Sequence, residues 1–400
     1  MSPIETLFTT FGFAWNMLLQ VWWLLLPIVL FLIFRDLWVF YLKLQYLQKF
    51  TWTLLEVSVP REILRTPKAM EQVFAAVNGI DPTITLTEKW WKGLIVDWIS
   101  FEMVGIARSV HFFIRVPTKY RNLIEAAIYA QYPGAEIKES PDDYLNILPE
   151  NLPNQTYDLF GLNLKLSKEE PYPIRTYPYF EDIEEERRLD PLAAITEVMS
   201  RLREGEVVLI QLLVRPTVRN LKEEAKKIIE EMMGKKKIGA DVEGAMASII
   251  SVTPGQRDVV KGIEEKLSKI LLEANLRFIY VDHRANFTRS NASAIAGAFQ
   301  QFNTRNMNGL KPLKKTLTIA KWPFFKQQRL FLKKRRLWNA YKKRWFADDR
   351  ARVNAWSRGF LVNTEELATL YHFPASVVAA PRLERIEAKK GTPPANLPLG

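Results

Sequence analysis

Trp98–Val116 reads WISFEMVGIARSVHFFIRV. Two strand-type runs, Trp98–Val104 and Ser109–Val116, flank Gly105, and in the second run Val110, Phe112, Ile114 and Val116 alternate with other residues. A period of two on either side of a glycine predicts a hairpin. Upstream, Thr53–Val59 puts Leu55, Val57 and Val59 on one face of a further strand. Thr66-Pro67 then opens a helix, with Thr66 as cap and Pro67 at the first helical position. Its apolar stripe is Ala69, Met70, Val73, Phe74 and Val77, and Asn78-Gly79 ends it. A loop with Trp90 and Trp91 leads into the hairpin. Downstream, a helix from about Pro117 carries Tyr120, Leu123, Ile124, Ala127 and Ile128, Tyr132-Pro133-Gly134 stops it, and Ala135–Lys138 is a short last strand. The order β-α-β-β-α-β over residues 51–139 is the ferredoxin-like, or split βαβ, pattern.

Residues 140–155, SPDDYLNILPENLPNQ, read as a polar, Pro-rich linker. Residues 156–310 read as a second α+β domain. Thr156–Leu166 is a strand, Asp190-Pro191 starts a helix to about Leu202, and Thr217–Met233 is a charged amphipathic helix. Val207–Val214 is apolar apart from Gln211, as a central strand would be. Gly234–Gly255 has small residues and weak periodicity and reads as mobile. Gln256–Ala274 reads as helix, Leu276–Val281 as strand and Arg289–Phe302 as helix. A basic helical segment at 311–347 is followed by a strand-helix element at 348–380, in which Phe360–Val362 precedes a short helix capped by Asn363 or Thr364. Residues 381–400 form an extended, linker-like tail.

The N-terminus is of another kind. Thr6–Phe34 contains no charged side chain, and the run stops at Arg35-Asp36. About 20 mainly apolar residues cross a bilayer as helix. A cleaved signal peptide would have a basic start, a shorter apolar run and a small-residue cleavage site; here the start carries Glu5 and no such site follows. The expectation is therefore an uncleaved anchor with Trp15, Trp22, Trp23, Pro27, Phe34 and Arg35 in or beside the membrane. Arg35, Lys43 and Lys49 follow the run while Glu5 precedes it. Positive flanks stay cytoplasmic, so the N-terminus is expected outside and the body inside the cell. Residues 35–50 read either as an amphipathic continuation at the membrane surface or as more of the same helix. The fold class expected is α+β: one N-terminal transmembrane helix, two ferredoxin-like-type α+β domains and a basic helix.

The net charge is +12 and there is no cysteine, which excludes disulfides, thiol nucleophiles and cysteine metal sites. Gly309–Ala347 holds thirteen Lys and Arg and no acid, so this block alone accounts for the net charge. Phe324, Phe331, Trp338 and Trp345 recur every seven residues in it, Leu337 and Tyr341 widen that stripe, and Lys333, Lys334, Arg335, Arg336, Lys342, Lys343 and Arg344 lie largely off it. Three readings stay open: a helix packed on the body by its aromatics, a phosphate-binding face for nucleic acid, and a helix lying on anionic lipid. Enzyme chemistry has little support. The three histidines, His111, His283 and His372, lack metal-ligand spacing, and no G-x-S-x-G elbow occurs. Asp282-His283-Arg284 is the best candidate for a site, and the acidic run Glu181–Glu186 reads as solvated. No cofactor or metal is expected.

Several stretches resemble a known module: LEVSVPRE, FEMV with VHFFIRVPTKYRNLIEAAIYAQYPGAEI, DPL with IQLLVRP, QQFNTRNMNGLKP and, most sharply, NTEELATLYHFP near the C-terminus. Spanning Leu55–Pro374, they resemble the membrane-anchored module ahead of type IV secretion coupling-type ATPases (TraD/TraG and HerA-like) of bacteria. In that family a DNA-translocating motor follows. Here no G-x-x-x-x-G-K-[ST] occurs, so the phosphate-cradling loop is missing and motor activity is not carried over. The resemblance implies a non-enzymatic scaffold or adaptor of a DNA- or protein-translocation machine at the bacterial cytoplasmic membrane. It implies a separate ATPase or other secretion subunits as partners, with DNA and further copies of the chain as additional candidates. The competing reading is a stand-alone membrane-associated protein whose basic helix binds anionic lipid or nucleic acid.

Overall fold

A computed structural model of the chain describes residues 3–60, 66–180, 189–233, 253–320, 323–346 and 359–374. They fall into two compact units, Met1–Phe50 with Thr83–Ile95, and Thr51–Pro82 with Val96–Gly400. In the first unit, helix α1 runs unbroken from Pro3 to Gln48 with Pro27 inside it, so residues 35–48 continue the same helix. Its side chains at 3–11, 13–16, 18, 19, 21, 22 and 25, Trp15 and Trp22 included, lie outside the described residues. Among the described residues no helix is long and apolar enough to cross a membrane, and the expected anchor is taken up below as a proposal.

The second unit is an α+β body built on one antiparallel sheet. Its strands are β1 (Trp52–Ser58), β2 (Ile99–Ile106), β3 (Ser109–Pro117), β4 (Glu136–Glu139), β5 (Tyr157–Leu166), β6 (Val207–Pro216), β7 (Leu271–His283), β8 (Leu310–Pro312) and β9 (Phe360–Asn363). The order is β4-β1-β3-β2-β6-β7-β5-β8, with β9 also on β7. Helices α2 (Lys68–Val77) and α3 (Arg121–Gln131) connect the first four strands. Helices α4 (Ala193–Ser200) and α7 (Arg289–Ala298) stand at the equivalent places of the next four, and α5 (Lys222–Met232) and α6 (Pro254–Ser268) lie between β6 and β7. Read inward from its own edge, each half runs fourth strand, first, third, second. The halves meet where β2 pairs with β6 from Ile99↔Val214 to Ile106↔Val207, so one sheet spans both.

Several sequence expectations shift. The hairpin turns at Ala107-Arg108, both with positive φ (48° and 70°), and not at Gly105. Two left-handed residues match the twist of a two-residue hairpin. Gly105 lies inside β2, where a Cβ would come within 3.0 Å of Leu202 and Met199, so its role is packing. Pro67, not Thr66, stands at the start of α2. Leu271–Ala274, expected as helix, is the start of β7, because Lys269 is already extended and Leu272 and Ala274 are fully buried. Residues 140–155, expected as a linker, bury Tyr144, Leu145, Leu148 and Leu152.

Alternation along the strands separates two cores. Val208, Ile210, Leu212 and Val214 of β6 join α2, α3, α4 and α7 in the larger one. Val207 and Leu209 face the other way and pack with Tyr144, Leu145, Leu148 and Leu152. That second face is closed by Leu337, Trp338 and Tyr341 of the basic helix α8 (Lys326–Lys342).

Under α8 the sheet carries a row of polar residues in register, Glu102↔Gln211↔Arg277↔Asn163. Glu102 has no exposed side-chain surface. It accepts from Arg344 Nε at 2.7 Å and Nη2 at 3.0 Å. It also accepts from Ser100 Oγ at 2.5 Å, Tyr144 Oη at 2.6 Å and Gln211 Nε2 at 2.8 Å. Arg344 reaches on to Asp143 at 2.5 Å, its carbonyl accepts from Trp98 Nε1 at 2.8 Å, and its backbone is left-handed, with φ 48°. Burial alone would raise the Glu102 carboxyl; the Arg344 charge and these hydrogen bonds outweigh it and hold it below the usual range. Burial pushes Arg277 down to about 10.

The C-terminal motif ties the halves together on the larger-core face. β9 pairs with β7, and helix α9 (Thr364–Leu370) packs on α2. Asn363 and Glu366 form a reciprocal capping box. Glu366 also accepts from the Ile174 amide at 2.9 Å and lies 3.0 Å from Lys266 Nζ, both side chains fully buried. His372 bridges the Ala368 carbonyl at 2.8 Å and Asp190 at 3.0 Å.

Glu102→Ala is expected to cost about 3 to 5 kcal/mol in urea unfolding, because it strands a buried guanidinium. The folded carboxyls of Glu102 and Asp143 are both depressed, so the stability they add is complete above the ordinary carboxylate range. It is lost as pH falls through their lowered values. Glu102→Gln should therefore flatten the acid limb of the stability curve; an unchanged limb would mean the pair contributes nothing.

Candidate membrane and phosphate surfaces

Helix α8 is amphipathic by the i, i+4, i+7 rule, and of the stripe expected Leu337, Trp338 and Tyr341 form its seat, whereas Phe324 and Phe331 do not. Lys334, Leu337, Trp338 and Tyr341 are the buried positions. Of the predicted aromatics, Trp338 is 1% exposed, whereas Phe331 and Phe324 are 43% and 67% exposed. The helix leans on β5 with its second half, and the first half presents its apolar side chains outward.

The seven cations named from the sequence therefore separate into different roles. Lys334 is buried and donates to Asp158 at 2.5 Å, and Arg344 is the partner of Glu102. Burial lowers the Lys334 ammonium despite Asp158. Lys333 donates to the carbonyls of Leu317 at 3.2 Å and Ile319 at 3.0 Å, and its ammonium is lowered by burial and by Arg329. Lys342 reaches Glu150 at 3.2 Å. Arg335, Arg336 and Lys343 are exposed. On a helical projection they surround exposed Leu332, opposite the seat. These three of the seven are the ones whose side chains lie open to solvent, where an external phosphate could reach them.

Of the membrane residues named from the sequence, Trp23, Pro27 and Phe34 are exposed on α1, and Arg35 pairs with Asp36 at 2.8 Å. The described large apolar side chains from Trp23 to Phe34, namely Trp23, Leu24, Leu26 and every one from Ile28 to Phe34, are each more than 40% exposed. A face so apolar is unusual on a surface that meets only water.

The histidines are built into the framework. His111 lies 3.0 Å from Glu56 across neighbouring strands. The His283 ring lies tilted 4.3 Å from the Tyr157 ring, and the His283 amide donates to Asp282 at 2.6 Å. Asp282 also accepts from Tyr280 at 3.1 Å. Among the described residues no group of acids and histidines is arranged to hold a metal. Glu181–Glu186 lies outside the described residues, as does most of the expected mobile segment, residues 234–252.

Sequence reasoning missed a cleft of about 430 Å³ lined by Arg175, Asp258, Lys261, Lys266, Asn306 and Asn363, among others. Its buried polar groups are already engaged, Lys266 with Glu366 and Asn363 in the cap. The signal was Lys266, a cation at the i+7 position of an apolar stripe begun by Val259 and Ile263.

Replacing Arg335, Arg336 and Lys343 together by Gln is expected to weaken binding to DNA or anionic vesicles. The slope of log K against log salt for DNA should fall by about 2 to 3, near 0.9 per phosphate. Lys334→Gln should instead lower the urea midpoint. A triple variant with an unaltered salt slope would place any phosphate contact elsewhere.

No curated protein matches the chain. The model of a domain of unknown function, DUF8128, matches residues 51–385, which begins with the sheet unit, takes in α8 and α9 and leaves α1 outside. Because that match covers well over half of the chain, the protein belongs to the DUF8128 family.

Proposed function

We propose that the protein is a membrane-tethered scaffold that acts through surfaces rather than through catalysis. The observation that carries this reading is the run of outward-facing apolar side chains on α1 from Trp23 to Phe34, ending at the Arg35-Asp36 ion pair. Such a surface is stable against hydrocarbon and costly in water. Together with the uncharged stretch Thr6–Phe34, it supports a single-pass anchor in the bacterial cytoplasmic membrane, N-terminus outside and body in the cytoplasm. The body reads as two ferredoxin-like plans joined edge to edge. Its buried charges, Glu102, Arg344, Lys266 and Glu366, cross-link distant segments, which supports a rigid binding platform.

The sequence resemblance to coupling-ATPase modules makes a separate translocation motor the first partner to seek, with DNA or a second copy of the chain as further candidates. A second reading, a stand-alone protein binding lipid or nucleic-acid phosphate, is favoured by one observation, the exposed Arg335, Arg336 and Lys343.

The full-length protein is expected to stay in the membrane pellet after an alkaline carbonate wash. Leu30→Arg with Ile33→Arg adds about 5 to 7 kcal/mol to insertion and should move it to the supernatant. Release of the unaltered protein by the wash would end the anchor reading. Purification in mild detergent should recover a P-loop ATPase; its absence from the recovered proteins would count against the translocation role.

A further inference from the structure

The segment Thr83–Ile95 leaves the sheet unit and forms a compact body with α1. Its conformation is fixed locally. The Thr85 amide and hydroxyl donate to Glu88 Oε2 at 3.1 and 2.9 Å, and the Glu88 amide donates back to Thr85 Oγ1 at 3.2 Å. A wide helical turn, Glu88–Lys92, follows and ends on Gly93, whose φ is 66°. A Cβ at Gly93 would lie 2.5 Å from the Leu42 carbonyl carbon and 2.7 Å from the Lys43 amide nitrogen, so only glycine allows this approach. At its other contact, the Arg35 guanidinium carbon lies 5.6 Å from the centre of the Trp90 ring. Leu42 and Arg35 are two helical turns apart, about 10 Å. The segment thus lies along α1 and points back toward the place where the apolar run ends.

The exposed surface of this body has a particular composition. Leu86 is 71% and Trp91 74% exposed, and Lys92 is exposed beside Trp91. On α1, just past Arg35, Trp38 and Tyr41 are 43% and 51% exposed. Trp and Tyr concentrate where hydrocarbon gives way to headgroups, because an apolar ring with a polar edge is best satisfied there. Lys and Arg beside them meet lipid phosphate.

We infer that Thr83–Ile95 is an interfacial collar. It rests Trp91 and Leu86 in the headgroup–acyl boundary of a phospholipid bilayer, beside the point where α1 leaves the hydrocarbon. The inference rests on the anchor reading and adds to it a second membrane contact brought in from the middle of the chain. Its occupant is the bilayer, because exposed Leu86 and Trp91 belong to the same compact body as the exposed apolar surface of α1, and the segment reaches α1 at Arg35, where that surface gives way to charge.

The chain has no cysteine, so single reporters can be placed by Trp91→Cys, Leu86→Cys and Leu30→Cys. Each full-length variant is labelled with an environment-sensitive fluorophore and reconstituted in phosphatidylethanolamine–phosphatidylglycerol vesicles containing lipid with a nitroxide at either carbon 5 or carbon 12. The label at 30 should be quenched more by the deep nitroxide, and those at 91 and 86 more by the shallow one. Adding Gly93→Val should abolish quenching at 91 and leave 30 unchanged. Quenching at 30 with none at 91 or 86 would overturn the collar and leave the anchor standing. Absence of quenching at all three positions would overturn both.

Discussion

A carboxylate with no exposed atom sits at the join between the two halves of the sheet. Glu102 lies on β2 opposite Gln211 of β6, and five donors from Arg344, Ser100, Tyr144 and Gln211 converge on it. A buried charge left alone would cost several kcal/mol, so this carboxylate obliges the chain around it to stay in place. It fixes Arg344 in a left-handed conformation at the end of α8. It holds Tyr144 against the second face, and through Trp98 it anchors the strand before it. The basic helix is thus seated by an ion pair as well as by its aromatic residues, and Lys333, Lys334, Lys342 and Arg344 are engaged by the body beneath it.

The opposite face is closed by a similar device. The C-terminal segment gives a strand to one half and a helix to the other, and Glu366 satisfies its own cap, the Ile174 amide and the Lys266 ammonium together. Residues separated by almost the length of the matched family region are needed to complete one core, which accounts for a family that starts at the first strand and runs past this helix. The same economy bears on function. With charges buried as rivets, the outer surfaces with distinctive chemistry are the apolar stretch of α1 with its aromatic neighbours and the outer face of α8.

Much was legible in the sequence because it depends on neighbours along the chain. The alternation in Val110–Val116 and Leu55–Val59 fixed strands and faces, the stripe Ala69–Val77 fixed a helix, and a cap at Asn363 or Thr364 marked the last one. The class, α+β, and the strand–helix order of the first half followed. The uncharged stretch before Arg35 was equally plain, since hydropathy needs no partner to be read.

Other features depended on residues far apart. Glu102 and Arg344 are 242 positions apart, and nothing local says that one neutralises the other. For that reason Arg344 and Lys334 read as phosphate ligands in the sequence and prove to be internal partners, while Arg335, with the same charge, faces out. Gly105 read as a turn because a glycine permits one; the packing of Leu202 and Met199 gave it another use. Composition and periodicity determined which segments are strand, helix or apolar run, since those rest on short-range sterics and solvation. Which charges are spent inside, and that two halves share one sheet, was decided only when β2 met β6, because pairing between distant strand edges leaves no trace in local sequence.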